Sequence, residues 1–278
     1  MTQVLFAKIP ESLCADALTC FVRKSFPHKG NEEYFDALER RKSTDSVKES
    51  FAALALLREL LSMRGIETDR LVFRRSDSGK PYFEGRDLHF SLSHSKGHVA
   101  AALSDTTEVG IDIECADVST DRAEKMIKRF FCKGCKGCEG EFAVPSSTAE
   151  TSPRAEAAPF AAPSLTAETT PTDDNFLAAA TSLTAETTPT DDISHTAENF
   201  VRIWTKAEAY AKMMGTGLGK AISNRELPCF CTEYERGESF FYYFDADGYP
   251  LTACLEKEDG EIDFFKTDLE NLIKKAEI

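Results

Sequence analysis

Residues 139–198 cannot contribute to a hydrophobic core, and this constrains the fold more than any other feature of the chain. The run Ser164–Asp174 recurs identically as Ser182–Asp192, and the stretch holds eleven Asp and Glu, one Arg and no Lys. Because large apolar side chains are scarce in it, it would bury too little surface to offset the entropy of ordering it. A solenoid is the structured alternative, but almost no large apolar residue recurs in the repeat. We expect a disordered acidic insertion between two folded segments.

The composition of the remaining chain is that of an ordinary globular protein. Most of the net charge of −14 belongs to the insertion, so the body has no basic footprint for nucleic acid. The longest apolar run, Phe51–Leu57, is too short to span a membrane, and the N-terminus does not resemble a signal peptide. We therefore expect a cytoplasmic protein whose nine cysteines are reduced thiols.

Three of these cysteines, Cys132, Cys135 and Cys138, have a spacing typical of metal ligands. Without a clear fourth ligand they make a poor zinc or iron–sulfur site. The sequence leaves open whether they bind a metal.

Periodicity outside the insertion predicts a mixture of helices and mostly antiparallel strands, the α+β class. The longest predicted helix, 45–64, has a capping residue among Ser43, Thr44 and Asp45 and ends at Gly65. The other predicted helices are 11–24, 32–41, 120–131, 199–214 and 267–276. The predicted strands are 3–8, 71–75, 88–93, 97–103, 108–114, 228–232, 239–245 and 250–256.

Two acids lie two residues apart in the apolar run Val109–Glu114. In a strand, Asp112 and Glu114 point to the same face, where like charges repel unless a cation lies between them. A hard divalent cation prefers such carboxylate oxygens. A solvated acidic face on a half-exposed strand is the alternative interpretation.

Further candidate residues lie in four other segments. Glu208 and Lys212 are four residues apart and share a helix face with Trp204, a spacing that an ordinary surface salt bridge also has. The strand end Phe90–His94 offers Ser93 and His94, which could hold a phosphate or belong to a polar hairpin. The turn Gly79–Tyr82 presents Lys80, and the basic start of the long helix includes Lys48.

Five motifs in this order resemble the 4′-phosphopantetheinyl transferases of the larger, surfactin-synthetase-activating (Sfp-like) type. They cover nearly the whole chain outside the insertion: Gly-Lys-Pro at 79–81, Phe-Ser-Leu-Ser-His at 90–94, Gly-Ile-Asp-Ile-Glu at 110–114, Lys-Arg-Phe-Phe at 128–131 and Trp-Thr-x-x-Glu-Ala-x-x-Lys at 204–212.

The resemblance implies a pseudo-dimer of two similar α+β halves, with the active site in the cleft between them. The halves would be residues 1–105 and 106–278, the second interrupted by the insertion at about 139–198. A pseudo-dimer needs no partner subunit, so we expect a monomer.

The resemblance also implies a reaction. The 4′-phosphopantetheine group of coenzyme A would be transferred to a serine of an acyl or peptidyl carrier protein, releasing 3′,5′-ADP. Asp112, Glu114 and Glu208 would hold Mg²⁺, which suits pyrophosphate chemistry. Glu208 would also act as general base and Lys212 would stabilise phosphate charge. Residues Lys48, Lys80, Ser93 and His94 would bind coenzyme A.

The chain departs from the family pattern at three places. Ala207 stands where the family usually has Lys, and Lys206, one residue earlier, lies about 100° around the helix. Either the side chain of Lys206 reaches round to the same place, or the contact that the family lysine makes is absent. Lys48 stands where the family usually has Arg, which removes bidentate geometry. The acidic insertion is either a tolerated loop or a competitor of the carrier for a basic docking face.

Two other functions remain open on these residues. One is a non-catalytic homologue that binds coenzyme A or the carrier. The other is a metal-dependent phosphohydrolase that shares only the carboxylate site. Which carrier would be served, of fatty-acid, polyketide or nonribosomal-peptide synthesis, is not determined.

Overall fold

The computed structural model describes residues 1–40, 43–115, 117, 197–224, 239–259 and 262–275. These residues form a mixed α+β structure, as predicted. The strands are β1 Thr2–Lys8, β2 Phe73–Arg75, β3 Pro81–Phe83, β4 His89–Ser95, β5 His98–Ser104, β6 Val109–Ile113, β7 Phe240–Asp245, β8 Pro250–Leu255 and β9 Asp263–Lys266. The α-helices are α1 Ala15–Ser25, α2 Glu32–Glu39, α3 Thr44–Met63, α4 Ala197–Met214, α5 Leu218–Asn224 and α6 Leu269–Lys275.

The first sheet has the strand order β4-β5-β1-β9, in which β5 pairs antiparallel with both β4 and β1. One face of this sheet packs on α1 and α3, through residues such as Leu5, Ala101 and Leu103. The opposite face, which includes Val4 and Ala102, packs on the second sheet. Every residue of β5 is therefore buried, and its sequence is an almost unbroken apolar run rather than an alternating one.

The long helix α3, Thr44–Met63, lies within one residue of the predicted range 45–64 at each end. Ser43 is its N-cap residue, and Gly65 follows its C-cap with φ of 65°. Glycine takes this left-handed conformation without the steric cost that a Cβ imposes, so the chain can leave the helix there. The helix buries a run of leucines, alanines and Phe51 against the first sheet.

The second sheet has the order β6-β8-β7 and is antiparallel throughout. Its inner face carries Val109, Ile111 and Ile113 against the first sheet. Its outer face is covered by α4, so the architecture is helix, sheet, sheet, helix. The edge strand β6 lies beside β4, the edge strand of the first sheet.

The C-terminal segment returns to the first sheet. Strand β9 pairs parallel with β1, with Gln3 opposite Asp263 and Phe6 opposite Lys266. Helix α6 then packs its buried face into the core around α3. Strand β9, like β3, was not predicted, because strands of three or four residues are too short for a periodic signal.

Several predictions lie outside the described residues. These are the helix at 120–131, the strand at 228–232, the acidic insertion as far as residue 196 and the run of three cysteines. The pseudo-dimer and its boundary near residue 105 stay predictions.

Candidate active site

Gly110 allows helix α4 to lie directly on strand β6. A Cβ atom at this position would be 1.9 Å from the carbonyl oxygen of Ala209 and 2.4 Å from the main-chain nitrogen of Met213. Real Cβ atoms essentially never approach another heavy atom below 3.0 Å, so only glycine permits this crossing. The next outward-facing residue on β6 is Asp112, which consequently lies under α4.

Lys212 of α4 reaches Asp112 of β6. Its Nζ lies 2.7 Å from Asp112 Oδ1 and also donates to Ser93 Oγ at 2.9 Å. Asp112 is buried, with 4% of its surface exposed, so the ammonium balances its charge where water cannot. The predicted helix face thus points into the site, and the Glu208–Lys212 spacing is not an isolated surface pair.

Two serines of β4 bond to the two carboxylates of β6. The Ser93 hydroxyl donates to Asp112 Oδ1 at 2.9 Å, and the Ser95 hydroxyl donates to Glu114 Oε2 at 2.9 Å. The predicted acidic face of β6 is therefore only partly open to solvent: Asp112 is buried between β4 and α4, and Glu114 is half-buried.

The three carboxyl groups interact strongly. Burial raises the pKa of Asp112, although Lys212 and Ser93 oppose the shift. Burial and then the charge of Asp112 raise the pKa of Glu114. Burial, followed by the charge of Asp112, raises the pKa of Glu208 to about 7, while Lys212 opposes this. Three acids with one lysine form a site with unbalanced negative potential.

The donor set fits a hard divalent cation in its chemistry. Asp112 Oδ2 is buried and has no hydrogen-bond partner among the described residues, which is costly for a carboxylate oxygen unless a cation satisfies it. Among the described residues, however, no three His, Cys, Asp or Glu side chains already surround one metal position. Lys212, rather than a third carboxylate, contacts Asp112 in this arrangement.

The cluster borders a cleft of about 330 Å³. His94 from β4 lines this cleft with Glu208 and Lys212 from α4. Glu49 of α3 lies 2.9 Å from His94 Nδ1, and its other oxygen accepts the main-chain N–H of Gly97 at 2.7 Å. Glu49 was missed by the sequence analysis, because an acid in a long helix carries no signal of which strand it faces.

The two predicted phosphate-binding lysines lie in different surroundings. Lys80 lines the cleft, but its Nζ lies 2.5 Å from Glu108 Oε2 and donates to the carbonyl of Met213 at 2.8 Å. It therefore joins the turn before β3 to the C-terminal end of α4. Lys48 donates to the carbonyl of Pro10 at 3.1 Å and is not among the described residues that line the cleft.

Lys206 does not occupy the position of the missing family lysine. Its Nζ lies 4.7 Å from the ring centroid of Phe241 and 5.8 Å from that of Tyr243, both on β7. Ala207 is fully buried, so a longer side chain there would have to displace its neighbours. The described site therefore has an alanine methyl group, and no charged group, at position 207.

Two comparisons bear on these motifs. A scan of the sequence against models of protein families finds no match. A stretch of 114 residues, 41% of the chain, is 30% identical to the 4′-phosphopantetheinyl transferase gsp of Aneurinibacillus migulanus. The match spans 46% of the length of that protein, so the chain covers less than half of it.

No helix in the described segments is both long and apolar enough to cross a membrane. Over the matched stretch the chain is similar to a 4′-phosphopantetheinyl transferase, which agrees with the resemblance that the ordered motifs indicate.

Proposed function

We propose that the protein transfers the 4′-phosphopantetheine group of coenzyme A to a serine hydroxyl of an acyl or peptidyl carrier protein, releasing 3′,5′-ADP. One observation carries the proposal: Glu208 and Lys212 border the cleft together, directly above the buried Asp112. The similarity to a named transferase supports it over the matched part of the chain.

Glu208 is suited to take the proton of the carrier serine. In the metal-free site burial raises the pKa of Glu208 to about 7, and general bases work best when their pKa lies near the working pH. A cation held by these carboxylates would lower that pKa. As the serine oxygen forms a bond to the phosphorus that carries pantetheine, the bond from that phosphorus to the leaving 3′,5′-ADP breaks. The serine proton passes to Glu208.

Lys212 is suited to stabilise the charge that develops on the phosphate oxygens. Its ammonium is already held at the cleft by Asp112 and Ser93, so little reorganisation is needed when substrate binds. His94, whose ring nitrogen contacts Glu49, would contact a phosphate group of coenzyme A. Lys80 and Lys48 are proposed as weaker contacts, because both have partners in the protein.

Asp112, Glu114 and Glu208 would hold Mg²⁺. When bound, the ion supplies positive charge to the pyrophosphate and its leaving group. Asp112 Oδ2, which has no partner in the part of the chain that the structure describes, is the oxygen that this role would satisfy.

The test is a transfer reaction with the intact protein, Mg²⁺, coenzyme A and apo-carriers of the fatty-acid, polyketide and nonribosomal-peptide types. Intact-mass spectrometry should detect addition of a phosphopantetheine arm to at least one carrier. Glu208→Ala and Asp112→Ala should abolish the gain. Glu33→Ala, which removes an exposed carboxylate from α2, should keep it.

Two results would contradict the proposal. Release of phosphate from coenzyme A without any carrier would indicate a phosphohydrolase. Binding of coenzyme A with no gain in mass on any carrier would indicate a non-catalytic homologue.

A further inference from the structure

Three serines on one face of β4 bond to the backbone of β6. The hydroxyl oxygens of Ser91, Ser93 and Ser95 accept the main-chain N–H groups of the residues opposite them. These bonds are Ile111 N to Ser91 Oγ at 3.0 Å, Ile113 N to Ser93 Oγ at 3.2 Å and Cys115 N to Ser95 Oγ at 3.2 Å. We call these three residues the serine row.

The serine row joins the edges of the two sheets. Strand β6 has β8 on one side, and its N–H groups on the other side would be left without partners where β4 covers them. Since alternate residues of a strand share a face, serines at every second position of β4 reach the successive N–H groups of β6 that point away from β8. The row replaces a missing strand partner with side chains.

Two members of the row have a second role that their hydrogen bonds define. A hydroxyl has one proton to donate and two lone pairs that accept. Ser93 Oγ accepts from the N–H of Ile113 and from the ammonium of Lys212, which can only donate. Its single proton must therefore go to Asp112 Oδ1. Ser95 accepts from the N–H of Cys115 and donates to Glu114 Oε2, which also accepts from that N–H at 3.3 Å.

The geometry points to Ser93 and Ser95 as positioning residues for the carboxylate pair. Each holds one carboxylate by a bond whose direction the backbone of β6 imposes, and so determines which oxygen of Asp112 and of Glu114 stays available to a cation. The inference rests on the metal ligands of the proposed function. It also differs from the predicted contact of Ser93 with a coenzyme A phosphate, since that hydroxyl is buried and its bonds are taken.

Ser91 is a matched control within the same row. It accepts an N–H of β6 as the other two do, but among the described residues it bonds to neither carboxylate. Replacing it removes an equivalent link between the sheets and leaves the carboxylates held. A purely structural role for the row would make all three serines equivalent.

The experiment measures Mn²⁺ binding to the intact protein by the electron paramagnetic resonance signal of the free ion, with Mg²⁺ as competitor. Partners of metal ligands typically change metal affinity about 10- to 100-fold, so Ser93→Ala and Ser95→Ala should each weaken binding at least about tenfold. Ser91→Ala should stay within about threefold of the unmodified protein. Ser95→Thr, which keeps the hydroxyl, should restore binding.

Two results would overturn the inference: equal affinities for all three alanine variants, or no Mn²⁺ binding by the unmodified protein. If Ser93→Ala does not fold, the comparison of Ser95→Ala with Ser95→Thr tests the inference alone. The transfer assay is run in parallel on the same samples. Normal cation binding with no transfer would count against the proposed function and leave the role of the serines supported.

Discussion

Gly110→Ala tests the packing of helix α4 on strand β6, on which the whole site depends. The added Cβ would lie 1.9 Å from the carbonyl oxygen of Ala209, about 1.1 Å short of the closest approach that real Cβ atoms make. The atoms it meets are helix backbone, so no side chain can rotate away. The helix itself must retreat from the strand by about an ångström.

The expected cost is at the upper end of the range for overpacked cores, about 3 kcal/mol. With a denaturant slope of about 2 kcal/mol per molar urea, the unfolding midpoint should fall by about 1.5 M. The same displacement moves Lys212 away from Asp112. Since a misplacement of about 1 Å can cost about 100-fold in rate, transfer activity should fall by a comparable factor.

Urea unfolding can be followed by the fluorescence of Trp204, the only tryptophan of the chain, which lies on the displaced helix. Gly219→Ala is the control, because a Cβ at that position in α5 meets no atom of the described segments within 4 Å. Gly219→Ala should raise the free energy of unfolding by no more than about 1 kcal/mol. Equal midpoints for the two variants would refute the close crossing.

Three further predictions concern single side chains. In metal-free buffer, Glu208 ionises near pH 4.5 in the unfolded chain but near 7 in the folded one. As pH rises through that window, the free energy of unfolding of the unmodified protein should therefore fall by up to about 3 kcal/mol relative to that of Glu208→Gln. The same difference between the urea midpoints of the two proteins at pH 5 and at pH 8 would contradict this. Glu49→Gln keeps an acceptor for the N–H of Gly97 but loses the negative charge beside His94. It should raise KM for coenzyme A about fivefold with little change in kcat. An unchanged KM would exclude a role of Glu49 in positioning His94. Asn31→Ala removes three buried hydrogen bonds and should cost about 3 kcal/mol in urea unfolding, where a loss below about 1 kcal/mol would be inconsistent with the structure.

The long elements were predictable because their signals are local. Helix α3 has a cap residue, helical apolar spacing and a terminal glycine, all within its own sequence. Strands β4, β5 and β6 are long enough for their apolar patterns to be recognised. Strand β9 depends instead on its parallel pairing with β1, which lies at the opposite end of the chain. No local pattern reports such a partner.

The candidate site was predictable in composition but not in its contacts. Asp112, Glu114, Glu208 and Lys212 were identified from spacing, and the structure brings Asp112 and Lys212 together. Lys80 was expected to be free in a turn, yet its ammonium is bonded to Glu108 and to the end of α4. A lysine's partners depend on which distant element passes nearby, and its own sequence does not contain that information.

The sequence by itself determined the residue types, their spacing along each strand and helix, and the order of the motifs. These follow from local periodicity, which places Asp112 and Glu114 on one face and Glu208 and Lys212 on another. Only the tertiary structure decided that the two faces meet across Gly110, that β4 supplies serines to the carboxylates and that burial raises the pKa of Glu208 to about 7. Burial and charge proximity are properties of the packed chain, because desolvation depends on every element that covers a group.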